Sequence, residues 1–124
     1  MKAEREFFDP TPLPWRPAPG FASGVWEQII SGGEDEGVTT RLLRFDPGSG
    51  NDRVVTHDFW EEIYIISGTL TCGGRPHPAG SVAVRPPGML HGPFHSATGC
   101  LSYEVRYRVR PDPHPKELVP RSHA

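Results

Sequence analysis

The sequence predicts an all-β fold, and three observations support this prediction. The chain has 124 residues, including 15 Pro and 14 Gly, which interrupt every run long enough to form a helix. Short runs rich in β-branched and aromatic residues alternate with turn signals. The run from 100 to 109 alternates between apolar and polar residues. This organisation is typical of a single β-barrel or sandwich domain.

The first 23 residues are interpreted as a separate arm. Five prolines lie among aromatic residues here, a pattern that disfavours helix and ladder pairing but allows an extended chain. The aromatic side chains would be costly to leave in water, so we expect the arm, residues 1–23, to pack on the barrel or on a partner subunit. A homodimer is the expected consequence. The aromatic residues are Phe7, Phe8, Trp15 and Phe21.

Residues 24–110 are predicted to form the barrel. In the last strand we expect the apolar side chains to be buried and the polar ones to meet solvent or a partner. The tail 111–124, which contains His114 and His123, is rich in proline and is predicted to be flexible, with no part in a site. The expected strands, in chain order, are 25–30, 38–45, 54–57, 62–66, 70–72, 81–84 and 100–109.

Charge and cysteine content limit the partners and the compartment. The formal net charge is −2 and the basic residues are scattered, so no nucleic acid or anionic membrane is expected as a partner. The sequence shows neither a membrane-spanning run nor a signal peptide, and we therefore expect a cytoplasmic protein. In that compartment Cys72 and Cys100 are expected to be reduced, and no chemistry is assigned to them.

Two stretches of the sequence carry candidate metal ligands. In the first, His57 and Glu61 flank a short turn before a strand; in the second, a strand ends in a Pro-Gly turn that is followed by His91. Two imidazoles and one carboxylate suit Fe(II), because they leave positions open for substrate and dioxygen, and Zn²⁺, Mn²⁺ or Ni²⁺ would also fit. An isolated histidine near a strand end is more often an ordinary hydrogen-bonded residue, so spacing alone leaves both readings open.

The two stretches resemble the paired motifs of the cupins. His57 stands three intervening residues before Glu61, and Glu61 stands six before Gly68. Five residues intervene between Gly80 and a Pro-Pro-Gly turn, and His91 follows that turn. The segment 40–48 is also similar to the strand and turn that precede the first motif in small single-domain cupins of the ChrR type. The resemblance covers roughly residues 25 to 108 and implies a jelly-roll barrel, a double-stranded β-helix, with one divalent metal ion held by His57, Glu61 and His91.

The sequence departs from the cupin pattern at two positions. The family usually has His-x-His in the first motif, but the position two before His57 is Val55. His95 falls where the second motif commonly has Asn, and a four-residue step along a strand would place it on the same side as His91. His95 is therefore a further candidate, as a replacement ligand or as a residue that orients the ligands. Glu62 would face away from Glu61, since neighbours on a strand point to opposite faces.

Several side chains near these motifs are candidates for substrate binding. An apolar pocket beside the metal would suit a small organic molecule, although an aromatic residue in a barrel is more often part of the core. Arg85 could bind a carboxylate or enolate substrate, as could Arg106, if they face the barrel mouth. His77 lies in a predicted turn and is expected to be exposed. The candidate substrate-binding residues are Phe59, Tyr64, Arg85, Met89, Phe94 and Tyr103.

The resemblance implies more than one function. Small cupins of this kind include Fe(II) dioxygenases that cleave a carbon–carbon bond of a small diketone or phenolic ketone, and such an enzyme is the leading hypothesis. The alternatives are a non-catalytic ligand or redox sensor, which the missing first histidine favours, and a metal-free cupin that binds a small molecule. A shared fold does not define a reaction, so these alternatives stay open here.

Overall fold

The computed structural model describes residues 2–109, and this part of the chain contains nine β-strands and no helix. The predicted all-β fold is confirmed. None of the described residues forms a helix that could cross a membrane. The predicted tail 111–124 lies outside the described residues. In chain order the strands are β1 (Trp15–Pro17), β2 (Val25–Gly32), β3 (Thr39–Phe45), β4 (Ser49–Gly50), β5 (Trp60–Cys72), β6 (Arg75–Pro78), β7 (Val82–Arg85), β8 (Phe94–Ser96) and β9 (Cys100–Tyr107).

An antiparallel sheet curls round to form the barrel. Strands β1, β2, β3, β9 and β5 are neighbours in that order, and β7 pairs with the first half of β5. The second half of β5 pairs with β6 and with β8, and β8 pairs with β4. Strand β5 therefore belongs to both walls of the barrel.

Strand β5 runs on through positions 67–69, where the sequence predicted a break between two separate strands. A register shift lies between Ile65 and Ser67, and Gly68 has a φ of 78°. A Cβ atom at Gly68 would lie 2.1 Å from the carbonyl oxygen of Gly99. The glycine therefore marks a bulge that carries the strand from one wall to the other.

Strand β6 lies where the sequence predicted a turn. It pairs only with β5, so it is an edge strand, where Pro76 and Pro78 are tolerated because the outer edge needs no N–H donor. His77, between them, is half-buried rather than exposed. Conversely, the strand predicted at 54–57 is reduced to a single bridge between Val55 and His91.

The face of β9 that is buried is the polar one, so the predicted orientation of this strand was wrong. Ser102, Glu104 and Arg106 are only 1%, 2% and 8% exposed, whereas Tyr103 is 41% exposed. The alternation was identified correctly, but the sequence alone did not indicate that neighbouring strands place charged side chains inside the barrel. The outer face of this wall is consequently the apolar one.

The barrel interior changes from apolar to charged along the strands. At one end, Phe45 of β3 lies opposite Cys100 of β9, and both belong to the hydrophobic core. Further along, buried Arg41 lies opposite buried Glu104. At the far end Arg106 lies opposite Glu61 of β5. The hydrophobic core therefore lies at one end of the interior, and the predicted metal ligand Glu61 lies at the charged end.

The N-terminal segment lies against the barrel through several contacts. Strand β1 pairs with β2, and Ala18 is part of the buried core. Phe21 packs edge-on against Phe45, with ring centroids 5.5 Å apart. The side-chain amide of Gln28 donates hydrogen bonds to backbone carbonyls of this segment. Phe7, in contrast, is 98% exposed.

Candidate metal centre

His57, Glu61 and His91 converge at the charged end of the barrel. Each offers one ligand atom, and these atoms all lie within 4.8 Å of one another. His57 precedes β5, Glu61 is the second residue of β5, and His91 is held by two backbone hydrogen bonds with Val55. These three residues form a possible metal-binding triad.

The ring of His57 is fixed by its neighbours but leaves one nitrogen without a partner. The ring stacks on Phe59, with centroids 4.4 Å apart, and meets His91 edge-on at 4.5 Å. His57 Nε2 is buried and makes no hydrogen bond, although Glu61 Oε2 lies 3.5 Å away. A buried nitrogen of this kind calls for an explanation such as an unseen ion or ligand.

The backbone sets the tautomer of His91. Its Nδ1 lies 3.1 Å from the carbonyl oxygen of Met89, which can only accept a hydrogen bond, so Nδ1 carries the proton. The lone pair of Nε2 is then free, and this nitrogen lies 3.9 Å from Glu61 Oε1. Burial lowers the pKa of His91, which favours the neutral imidazole that a metal requires.

The carboxylate of Glu61 is held by two arginines. Arg85 Nη1 donates to Oε1 at 2.7 Å, and Arg106 Nε donates to Oε2 at 3.0 Å. Burial by itself would raise the pKa of Glu61, but His57 and the two guanidiniums hold that pKa well below its usual range. Glu61 is therefore ionised, as a ligand must be.

A buried network of charges extends from Glu61 across the interior. Arg106 also pairs with Glu104 at 2.8 Å, Glu104 pairs with Arg41 at 2.8 Å, and Arg41 pairs with Glu27 at 3.4 Å. Among the described residues the buried Asp, Glu, Lys and Arg side chains are three glutamates and three arginines, so their formal charges balance. Burial raises the pKa of Glu104, while the neighbouring guanidiniums of Arg41 and Arg106 act in the opposite direction.

The residues at this centre fit a divalent ion. Two imidazole nitrogens and one ionised carboxylate face a common point, and each oxygen of a carboxylate has a lone pair to spare after one hydrogen bond. Metal-binding carboxylates and histidines are commonly oriented by such hydrogen bonds. The arginines therefore orient Glu61 without preventing it from acting as a ligand.

A cavity of about 370 Å³, here called the first cavity, adjoins the triad. Phe59, Arg85 and Phe94, three of the residues predicted to bind substrate, line it. Tyr64 and Tyr103 lie instead on the outer face, 48% and 41% exposed, so their predicted place in the pocket was wrong. For Tyr103 the cause is the reversed orientation of β9, whereas Tyr64 lies on the outward face of β5, two residues after Glu62.

Met89 and His95 also lie elsewhere than the sequence suggested. Met89 lines a different cavity. His95 is exposed, because Phe94 and Ser96 on either side of it are buried, and it is not among the three converging residues. Counting the alternation from His91 to His95 fails because β8 begins only at Phe94. No ligand atom in the described residues replaces the missing first histidine.

Sequence reasoning missed the network that supports Glu61. Arg85 and Arg106 were singled out for substrate binding, but the structure shows them bonded to Glu61. Arg41 and Glu104 were not singled out at all. The available signal was the run of polar residues at every second position of β9, which was assigned to the wrong face. Glu62, the neighbour of Glu61, faces the outside as expected.

Comparison with known structures identifies the fold as a cupin jelly-roll barrel. The chain is similar to an RmlC-like cupin from Shewanella frigidimarina, with a TM-score of 0.69 and 19% identity over 88% of this chain and 95% of that one. It is similar to an acetylacetone dioxygenase from Acinetobacter johnsonii, with a TM-score of 0.69 and 18% identity over 85% of this chain and 75% of that one. At these identities the likeness establishes the fold alone.

A third similar structure is the complex of Rhodobacter sphaeroides SigE with the anti-sigma ChrR. The TM-score is 0.58 at 18% identity, over 77% of this chain and 50% of that chain. A comparison with curated protein sequences finds no match. The family model described as the ChrR cupin-like domain matches residues 3–109. The chain therefore belongs to the ChrR cupin-like family.

Proposed function

We propose that this protein binds one divalent metal ion and acts as a non-haem dioxygenase of the Fe(II) type, or a related enzyme, on a small enolisable organic molecule. The observation that carries the proposal is the triad of His57, Glu61 and His91 beside a cavity of about 370 Å³. Two histidines and one carboxylate are typical of non-haem Fe(II) sites, and Zn²⁺, Mn²⁺ or Ni²⁺ would also fit the donors.

The residues of the chain have separate tasks in this proposal. When bound, the ion supplies Lewis-acid chemistry and open positions for an enolate and dioxygen. His57, Glu61 and His91 hold the ion, and the carbonyl of Met89 keeps the free lone pair of His91 on the required nitrogen. Phe59 and Phe94 provide apolar walls that exclude water from the organic part of a substrate.

The similarity to an acetylacetone dioxygenase supports the choice of substrate class. We expect small diketones or phenolic ketones, since these form enolates that can bind a metal through two oxygens. The first cavity lies near the lower end of the range, roughly 300–1,000 Å³, for small-molecule sites. A substrate with one ring or a short chain matches this size.

Metal analysis and oxygen uptake test the proposal. Protein purified without chelator should retain close to one equivalent of metal, and it should consume dioxygen with at least one member of a panel of diketones and phenolic ketones. His91→Ala, prepared in parallel, is the matched negative control. Protein that neither retains nor takes up a divalent ion would contradict the proposal.

One observation favours a second candidate, a non-catalytic sensor or binding protein. Val55 occupies the position where the cupin motif usually has its first histidine, which leaves three protein ligands. Metal retention without oxygen uptake on any substrate would favour a ligand or redox sensor. A folded protein with no affinity for metal would favour a metal-free cupin that binds a small molecule.

A homodimer is also part of the proposal, with the outer face of β3, β9, β5 and β7 as its interface. Leu42, Tyr103, Tyr64 and Val82 lie opposite one another in a single row across these four strands. Tyr64 is 48% exposed and Val82 is 63% exposed. A second copy can cover this surface with the same surface of its own, as symmetric dimers do.

The free thiols of Cys72 and Cys100 support a reducing, cytoplasmic location.

A further inference from the structure

A second cavity of about 410 Å³ lies beyond the wall of the metal centre. Ile63, Leu70, Arg85 and His91 line both cavities and form the partition between them. Cys72 lines the second cavity but not the first. Two neighbouring cavities therefore share Arg85, and the second is also lined by the exposed residues Val82 and Leu90.

The lining of the second cavity is typical of a small-molecule site. Ile63, Ile65 and Leu70 are buried and contribute an apolar surface. Polar groups are few, as in most ligand pockets, where a small number of them fix the orientation of the ligand. The volume again falls within the range of roughly 300–1,000 Å³.

Arg85 directs a hydrogen-bond donor into this cavity. Its side chain is only 7% exposed, and Nη1 is bonded to Glu61. Nη2 contacts Cys72 Sγ at 4.0 Å, and sulfur is a weak acceptor. Since Cys72 lines the second cavity alone, the N–H groups on Nη2 point to that side of the partition. An oxygen acceptor in the cavity would give this buried donor a stronger hydrogen bond than the sulfur does.

The charges around Arg85 indicate which oxygen acceptor fits. The guanidinium of Arg85 already pairs with a buried carboxylate, since Nη1 lies 2.7 Å from Glu61 Oε1. An added carboxylate would leave one uncompensated negative charge in the interior, which is costly, whereas a neutral carbonyl oxygen adds no charge. The acceptor should therefore belong to a neutral molecule.

We propose that the second cavity is a separate binding site for a small neutral molecule with an apolar body and one carbonyl oxygen, which accepts a hydrogen bond from Arg85 Nη2. The site is distinct from the first cavity and does not require a bound metal. Because the same guanidinium holds Glu61, a ligand here also acts on the orientation of the carboxylate in the metal centre.

The reactivity of Cys72 can report on the occupancy of this cavity. Cys72 is half-buried and lines the cavity, whereas Cys100 is buried in the hydrophobic core. Burial raises the pKa of the Cys100 thiol, so it reacts slowly at neutral pH. The rate at which methyl methanethiosulfonate modifies Cys72 in the full-length protein, followed by intact mass spectrometry, is therefore the measurement. Cys72→Ala should lose this modification and serves as the baseline.

Three probes of similar size test the chemistry of the ligand. N,N-dimethylbenzamide has a carbonyl oxygen and cannot enolise; benzoate is an anion; toluene has no acceptor. We expect a saturating amount of the amide to slow modification of Cys72 at least fivefold, with little protection by benzoate or toluene. Equal protection by toluene would overturn the role of Arg85, and stronger protection by benzoate would overturn the charge argument. Absence of protection by all three would overturn the site.

Two variants test which of the two cavities the ligand occupies. Ala83 lines only the second cavity, and Thr56 lines only the first. Ala83→Phe should abolish protection by the amide, whereas Thr56→Phe should retain it, and the reverse result would assign the ligand to the first cavity. Circular dichroism checks that both variants fold. Because the readout is neither metal content nor oxygen uptake, this proposal can fail while the proposed enzymatic function stands, and the reverse also holds.

Discussion

Glu61 is the residue on which the charges of the barrel interior converge. Two arginines bond its two oxygens, while His57 and His91 face the same carboxylate from the cavity side. The arginines fix its position and keep it ionised without being ligands themselves. Glu61 is therefore part of the buried charge network of the barrel and also part of the candidate metal centre.

Each member of the triad should matter separately for metal binding. Loss of one ligand from three should lower metal affinity by more than the roughly 10–100-fold that is typical of residues that only orient ligands. We predict this for His57→Ala, Glu61→Gln and His91→Ala, measured by isothermal titration calorimetry with Fe²⁺ under anaerobic conditions, or with Zn²⁺.

Two neighbours of the triad, the exposed His95 and the half-buried Glu62, provide the controls for that experiment. His95 and Glu62 lie outside the triad, so His95→Ala and Glu62→Ala should bind metal as the wild type does. A loss with His95→Ala as large as with His91→Ala would show that His95 replaces the missing first histidine. A loss with Glu62→Ala but not with Glu61→Gln would show that the first motif is shifted by one residue.

Glu104 should be essential for stability rather than for metal binding. It is 2% exposed and pairs with both Arg41 and Arg106. Removing one partner from a buried ion pair leaves charge uncompensated and costs about 3–5 kcal/mol. We expect Glu104→Ala to lower the free energy of unfolding in urea by this amount. Exposed Glu34→Ala should change it by roughly 0.5 kcal/mol or less, and an equally small effect at Glu104 would contradict the network.

At the scale of residues, motif spacing was sufficient to predict the triad but not its surroundings. His57, Glu61 and His91 have fixed separations along the chain, and these residues do converge. The partners of Glu61 come from β7 and β9, 24 and 45 positions away in sequence. No local sequence pattern indicates such a contact, so Arg85 and Arg106 were predicted to bind a substrate instead.

Strand β9 shows what a periodic pattern can and cannot determine. The alternation predicted a strand correctly, because side chains along a strand point to opposite faces in turn. Which face is buried depends on the neighbouring strands, and here Arg41 of β3 and Glu61 of β5 provide charged partners inside. Burial of apolar residues is only the usual outcome, so the face could not be derived from β9 alone.

The bulge in β5 gives a prediction for that element. At Gly68 a side chain would need an unfavourable φ and would also collide with the backbone of Gly99. Gly80 has a similar φ of 89° but open space around its Cα. Gly80→Ala should therefore lower the free energy of unfolding only by the strain of placing alanine at a positive φ, about 1–2 kcal/mol. Gly68→Ala should lower it clearly more. Equal losses in urea unfolding would show that the close approach to Gly99 is easily relieved.

At the scale of the molecule, the all-β architecture followed from composition, and the barrel followed from the resemblance of the motifs. The two cavities did not follow from either, since they depend on how side chains from distant strands divide the interior. The apolar outer wall was also not foreseen as such. It follows from the reversed faces of β9, and it changes where a partner subunit is expected to pack.

The proposed dimer can be tested on that wall. Tyr64 lies in the middle of the outer row, so Tyr64→Lys should convert a dimer to a monomer in multi-angle light scattering at micromolar concentration. Val54 is 57% exposed but lies outside the row, and Val54→Lys should leave the mass unchanged. A wild-type protein that is monomeric at high micromolar concentration would refute the dimer.

Strand β5 carries Glu61 near one end and Cys72 at the other, and it has partners along both edges. Its amide protons can exchange with solvent only when the strand separates from these neighbours, so they should exchange as one cooperative unit. A ligand in either cavity stabilises the closed form and should slow deuterium uptake along the whole strand. Hydrogen exchange at one end of β5 would then report on binding at the other end, without any change in the average structure.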